Sequence, residues 1–278
     1  MSHPAVFCGE GGVPEKHWVG RSFGRAADGY DGLAGLQRTT ADAVLAGWFA
    51  RTTRHRPDWI LDVGAGTGYP TRHLHQHWPE ARVLAVDLAE GMLRVARRHW
   101  PDADPLHCVV GDAETLPVAD GGVDMLFTNL ALQWCSSVTA AFSEFYRVLK
   151  PGGQLAFSTF GPATLHELRT AWASVDDHTH VSHFPEPDTL RTALDGCGWA
   201  GVELHSTLTR LQYAGVLDLM HELKGLGAHN LTRNRARHLQ GKSAWQRMVA
   251  AYPADRNGEV WASFEVITGY CRKPVSGK

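Results

Sequence analysis

Apolar and polar positions through the middle of the chain fall into two alternating patterns. Short runs rich in β-branched and other apolar residues occupy 59–63, 82–87, 106–110, 123–129 and 154–159. Between them, residues 69–78, 89–100 and 139–149 place apolar side chains at helical spacing. This alternation predicts a mostly parallel sheet covered by helices on both faces, a Rossmann-like doubly wound α/β fold. Lys150-Pro151-Gly152-Gly153 stops the third helix and turns the chain into the fifth strand. Beyond it, 187–194 reads as a helix stopped by the glycines at 196 and 198, and 201–208 as a strand. Residues 260–270, dominated by β-branched and aromatic side chains, read as a last strand.

Two stretches exceed this plan, about 161–186 and about 214–258. Each follows a strand whose carboxyl end points to the edge where an open α/β sheet holds its ligand. Both are expected over the site as helical lid insertions rather than as a second domain. The segment 18–49, with small residues at helical spacing, is expected to pack across the same opening. Residues 1–20 carry four glycines and two prolines and read as a flexible leader, leaving 21–278 as a single domain.

The sharpest chemical signal is Ile60-Leu61-Asp62-Val63-Gly64-Ala65-Gly66-Thr67-Gly68, an apolar strand breaking into a glycine loop and then a helix. Gly64 and Gly66 permit a tight turn and close approach of a ligand, with Ala65 and Gly68 completing the loop. Acidic or polar residues recur at successive strand ends. Asp62 precedes the loop and is placed to accept from a ligand amino group. Asp87, followed by Leu88, ends the second strand about 20 residues on, where an acid grips a ribose diol. Asp112 and Ala113 follow the third strand, where a carboxylate can accept from an adenine amino group, and Asn129 ends the fourth. Framing one loop, these positions predict an S-adenosylmethionine (SAM) site. An NAD site is the rival; the G-x-G-x-G spacing, against G-x-G-x-x-G, and Asp112 favour SAM. A non-catalytic SAM-binding protein is the other alternative.

Composition narrows the classes. The 278 residues are 44% apolar and 20% charged, ordinary for a globular protein. A formal charge of −2 gives no global pull toward nucleic acid. Five cysteines (Cys8, Cys108, Cys135, Cys197, Cys271) are scattered and never spaced as C-x-x-C, which argues against a zinc site or a disulfide framework. No run approaches the roughly 18 apolar residues of a membrane span, and no signal-like block opens the chain, so a cytoplasmic location is expected. Asn-Pro-Pro-Tyr is absent after the fourth strand, where Asn129-Leu130-Ala131-Leu132-Gln133-Trp134 stands instead. A small or carrier-borne methyl acceptor is therefore expected, without nucleic acid.

Several separate stretches resemble the malonyl-acyl-carrier-protein O-methyltransferases of biotin synthesis, within the class I SAM-dependent methyltransferases. They are Phe23-Gly24-Arg25-Ala26-Ala27 with Tyr30 and Leu36-Gln37-Arg38, and Asn129 through Cys135. Others are Glu167-Leu168 with Ala171-Trp172 and Val175-Asp176-Asp177, then Phe184 and Pro187-Asp188, and Leu223 through Asn230. The resemblance spans about 23–270. It implies a seven-stranded sheet with an antiparallel last strand, and methylation of the free carboxylate of a malonyl thioester on acyl carrier protein or coenzyme A. With no metal-ligand spacing among the cysteines, no metal is expected. Another small-molecule methyltransferase, acting on a quinone ring carbon or a metabolite carboxylate, remains the alternative.

A carboxylate with a pKa near 4 is ionised at neutral pH and needs no general base. No catalytic base is therefore expected, despite 16 histidines. Arg25, Arg38 and Lys224 are candidates to recruit the acceptor, with His229 as a neutral donor. Arg38 could instead hold the carboxylate of SAM. Trp134 and Tyr30 are candidates to wall the methyl donor. From Lys224 to Arg247 the chain has six Lys or Arg and no acid. Arg233, Arg235, Arg237 and Lys242 in this run are expected to dock an acidic carrier protein.

Overall fold

The computed structural model describes residues 15–52, 55–100, 105–228 and 242–275. Seven strands form one sheet: β1 (Trp59–Val63), β2 (Arg82–Asp87), β3 (His107–Val110), β4 (Val123–Asn129), β5 (Leu149–Phe160), β6 (Ala200–Tyr213) and β7 (Val260–Arg272). Their order is β3-β2-β1-β4-β5-β7-β6. β1 to β5 pair in parallel, while β7 runs antiparallel to both β5 and β6. The chain moves outward from β1 to β3 and then returns to β4, so the strand order reverses between β1 and β4. Open α/β sheets bind ligands at this switch point.

Alternation along β1 assigns its side chains to two cores. Leu61 and Val63 join Leu126, Phe157 and the apolar faces of α5 (Val138–Val148) and α7 (Pro187–Gly196). Ile60 faces the other way, onto Val44 and Trp48 of α2 (Gly35–Arg51) and Leu74 of α3 (Tyr69–His77). Local signals set these helices. Gly68 caps α3 at φ +80 with Pro70 in its first turn, and Ser137 caps α5 by accepting from Ala140 N at 3.2 Å.

The stretch read as leader is helical in its last residues: α1 spans Lys16–Leu33. It crosses α4 (Glu90–Arg98), burying Ala27 against Ala89, Met92 and Val95. The helix therefore begins inside the stretch 1–20. Both insertions rise from the carboxyl edge of the sheet. α6 (His166–Ala173), α8 (Val216–Gly225) and α9 (Lys242–Ala251) share one apolar cluster, with Leu168, Trp172, Leu219 and Met248 buried together over Phe264 of β7. Among the described residues no helix is long and apolar enough to cross a membrane.

Candidate active site

The glycine loop is held from β2. Gly64 N and Ala65 N donate to Val86 O at 2.8 and 3.1 Å. Gly66 N donates to Asp87 Oδ2 at 2.8 Å, and Ala89 N donates to Oδ1 at 2.7 Å. Asp87 thus ties the loop to the start of α4. Gly64 sits at φ +71, and a Cβ there would stand 2.4 Å from the Ala131 Cβ across the switch point. Gly66, at φ +56, faces open space, and a Cβ would meet nothing within 4 Å. The first glycine is demanded by its neighbour; the second leaves room for a ligand.

Two cavities flank the loop. One of about 110 Å³ is walled by Lys16, Phe23, Asp87, Asp112 and Trp134, and one of about 40 Å³ by Asp31, Arg38 and Thr67. Tyr30, Gly64, Gly66 and Asn129 line both, making them two halves of one cleft. A third, larger cavity of about 410 Å³ lies under the lid. Its walls are mostly apolar, from Leu36, Phe160, Leu168, Phe184, Met220 and Trp245. Trp134 lines both the cleft and this cavity, with Phe23 packed edge-on at 5.2 Å, so the indole is the partition between them.

Asp62 is 1% exposed and does not reach either half of the cleft. Strand alternation turns it toward α3, where Thr71 Oγ1 donates to Oδ2 at 2.6 Å, and Oδ1 is buried without a partner. Burial pushes its carboxyl up to about 7. Burial also raises Asp87, opposed by the two backbone donors, and raises the Tyr30 phenol, with Asp87 adding to the shift. Asp112 pairs with the Lys16 ammonium, which also pairs with Glu114. Burial lowers the Lys16 pKa, but these two carboxylates outweigh it and the net shift is upward. Asn129 accepts from Ser158 Oγ at 2.7 Å and donates to Gln37 O at 3.0 Å, joining β4, β5 and α2.

The predicted acceptor cations do not converge. Arg25 is exposed and lines only an outer groove between α1 and α8. The reason is helical phase: it follows Phe23 by two residues, about 200° around the helix from the cleft side. Arg38 lies in the smaller half of the cleft and donates to Asp31 O. Lys224 sits exposed where the outer groove meets the large cavity. His229, Arg233, Arg235 and Arg237 lie outside the described residues, as does the side chain of Lys242 at the start of α9.

Other residues at the site escaped sequence reading. Lys16 fell in the supposed leader. Gln37 and Gln133, which also line the large cavity, belong to quoted stretches but carry no charge to mark them. His180 lines it too, with Nε2 2.8 Å from Asp176 Oδ1 and its ring stacked on Trp172 at 3.8 Å. Asp176 and His180 lie in the loop after α6, where no helical spacing marks the contact in the sequence. Among the described residues no group of three His, Cys, Asp or Glu is placed to hold a metal ion.

A glycine loop at the switch point, acids at the next strand ends and an antiparallel β7 define a class I methyltransferase fold. The methyltransferase-domain family model matches residues 61–157. A solved structure, the YcgJ protein of Bacillus subtilis, shares the fold with a TM-score of 0.62 at 16% identity, covering 84% of this chain and 99% of its own. The malonyl-acyl-carrier-protein O-methyltransferase of Methylococcus capsulatus is 50% identical over 263 residues, 94% of this chain and 95% of that protein. The biotin biosynthesis bifunctional protein BioHC of Cellvibrio japonicus is 41% identical over 94% of this chain and 51% of its own length. The chain belongs to the malonyl-acyl-carrier-protein O-methyltransferase family.

Proposed function

We propose that this enzyme transfers a methyl group from SAM to the free carboxylate of a malonyl thioester on acyl carrier protein, an early step of biotin synthesis. The observation that carries this reading is the 50% identity across 94% of the chain, which extends through both insertions and not only the cofactor loop. The name of the Cellvibrio relative supports the pathway.

The cleft fits SAM. Gly66 leaves space at the loop. Asp87, Leu88, Asp112 and Ala113 form the adenosine side, with Asp87 receiving the ribose hydroxyls. Arg38 and Asp31, at the other end with Ala65, offer opposite charges to the zwitterionic amino-acid end. This reading moves Arg38 from the acceptor to the cofactor. Asn129 holds α2 to the sheet at the junction of the two halves. When bound, SAM supplies a methyl group made electrophilic by its sulfonium.

The chain's own contribution is position and dryness. Tyr30, Phe23 and Trp134 wall the junction, and the apolar lid excludes water from an encounter between an anion and a cation. Alignment of reactants can supply roughly 7–11 kcal/mol of the barrier reduction. No residue needs to take a proton from an acceptor that is already ionised. The described residues from Lys16 onward act as one catalytic unit, with α6, α8 and α9 in the lid.

Arg21, Arg25 and Lys224, with His221, line the open groove of about 730 Å³ between α1 and α8, and among the described residues no Asp or Glu lines it. Lys224 and His221 also line the large cavity. This groove is the docking face we assign to the acidic carrier, with the acyl arm entering past Lys224. The test supplies methyl-labelled SAM with malonyl or acetyl carrier protein. Label on malonyl alone, released by mild base as methanol, is the expected result. Label stable to base would mean carbon or nitrogen methylation and would overturn the reading.

A further inference from the structure

Gln37 stands where the large cavity meets the smaller half of the cleft, and it lines both. Its backbone is fixed there: its carbonyl accepts from Asn129 Nδ2 at 3.0 Å, which anchors the start of α2 to the carboxyl end of β4. Its side-chain Oε1 is buried and has no hydrogen-bond partner. A buried amide end without a partner is costly, and its place at the junction of two cavities points to a ligand as the missing partner.

Opposite lies the turn after β4. Leu130 sits at φ +48, an uncommon conformation for a leucine, and the 3₁₀ turn Leu132–Trp134 follows. Gln133 donates to Leu130 O, which steadies its amide beside Trp134 on the cavity wall. Two neutral amides and the partition tryptophan therefore line one cavity.

We propose that Gln37, assisted by Gln133, is the seat of the acceptor carboxylate. A half-turn of the Gln37 amide exchanges Oε1 for Nε2 and presents N–H donors to a carboxylate. A neutral donor suits this chemistry better than a cation. It fixes the direction of one carboxylate oxygen while leaving the negative charge on the nucleophile. Among the described residues Lys224 is the one Lys or Arg on the cavity wall, and it stands exposed at the mouth. Attraction and alignment are thereby divided: the outer cations draw the anion in, and the inner amides aim it.

The inference rests on the carboxylate-methylating reading. A carboxylate could reach Gln37 from either ligand, because SAM carries one too, and the arms of the test separate the two. Full-length Gln37→Ala and the isosteric Gln37→Met are measured for S-adenosylhomocysteine binding by calorimetry and for kinetics with malonyl carrier protein. The expected result is a KM for the malonyl substrate raised about tenfold or more, with S-adenosylhomocysteine affinity within about twofold of wild type. Gln37→Glu should lose more than either, because it sets a like charge against the acceptor. Weakened S-adenosylhomocysteine binding with an unchanged malonyl KM would overturn the proposal in favour of the cofactor's carboxylate, and full activity of both neutral variants would overturn it outright. A wild-type enzyme inactive on malonyl thioesters refutes the parent reading instead.

Discussion

Gly24 and Gly91 meet backbone to backbone where α1 crosses α4: a Cβ on Gly91 would stand 2.6 Å from the Gly24 carbonyl oxygen. That contact sets how closely α1 lies on the sheet layer. α1 in turn carries Lys16, Phe23 and Tyr30 into the cleft. Gly91→Val should lift the helix, destabilise the protein by roughly 1–3 kcal/mol as overpacking does, and weaken S-adenosylhomocysteine binding. Calorimetry with the purified variant checks this. Unchanged affinity would show that α1 is not part of the cofactor site.

Asp62 gives a pH-dependent prediction. Its folded pKa of about 7 lies above the ordinary 3.8 because of burial. Between these values the native state holds a proton that the unfolded chain has released. The contribution of Asp62 to the stability of the ligand-free protein therefore falls as pH rises from about 4 to 7, and the penalty persists above 7. Asp62→Asn removes it. The variant should melt above wild type at pH 8, by a margin on the order of 1–4 kcal/mol, and near wild type at pH 4. Thermal unfolding at both pH values reads the difference.

Trp134 separates the cleft from the large cavity. Trp134→Ala merges them and admits water beside the reacting groups. We expect kcat to fall by roughly 10–100-fold, about 1.4–2.7 kcal/mol of barrier, with a smaller change in S-adenosylhomocysteine affinity. Single-turnover kinetics separates the chemical step from binding.

The basic groove predicts a partner-specific defect. Reversing Arg21 and Arg25 to Glu should raise the KM for malonyl carrier protein by about tenfold, more at low salt than at high. Malonyl-pantetheine, which carries no protein, should be little affected. An equal loss for both substrates would place these arginines in the catalytic cavity rather than on the docking face.

Much of the fold was legible because β1, β2 and β4 are short apolar runs bounded by loops, and their limits agree with the sequence reading. β5 begins earlier than expected. Lys150–Gly153 does turn, as a bulge against β4 with Gly152 at φ +83, but it stays in the sheet because it pairs with residues near the other end of the chain, Gly152 N donating to Lys273 O at 2.9 Å and Lys273 N to Gly153 O at 2.8 Å. β6 runs on to Tyr213 because β7 extends alongside it, with Tyr213 opposite Val260. Both gains depend on partners distant in sequence. At the site, charged strand ends announced Asp87 and Asp112, whereas Gln37 and Gln133 have no such mark. Arg25 lies away from the cleft because of the phase of α1: Val19, Phe23 and Tyr30 share the cleft side, and Arg25 falls opposite.

The most direct measurement is mass spectrometry of malonyl carrier protein after incubation with the purified enzyme and SAM. The account predicts one added methyl group per acyl chain, located on the terminal carboxylate and absent when acetyl carrier protein is supplied. An unmodified malonyl group, with SAM bound and intact, would contradict it.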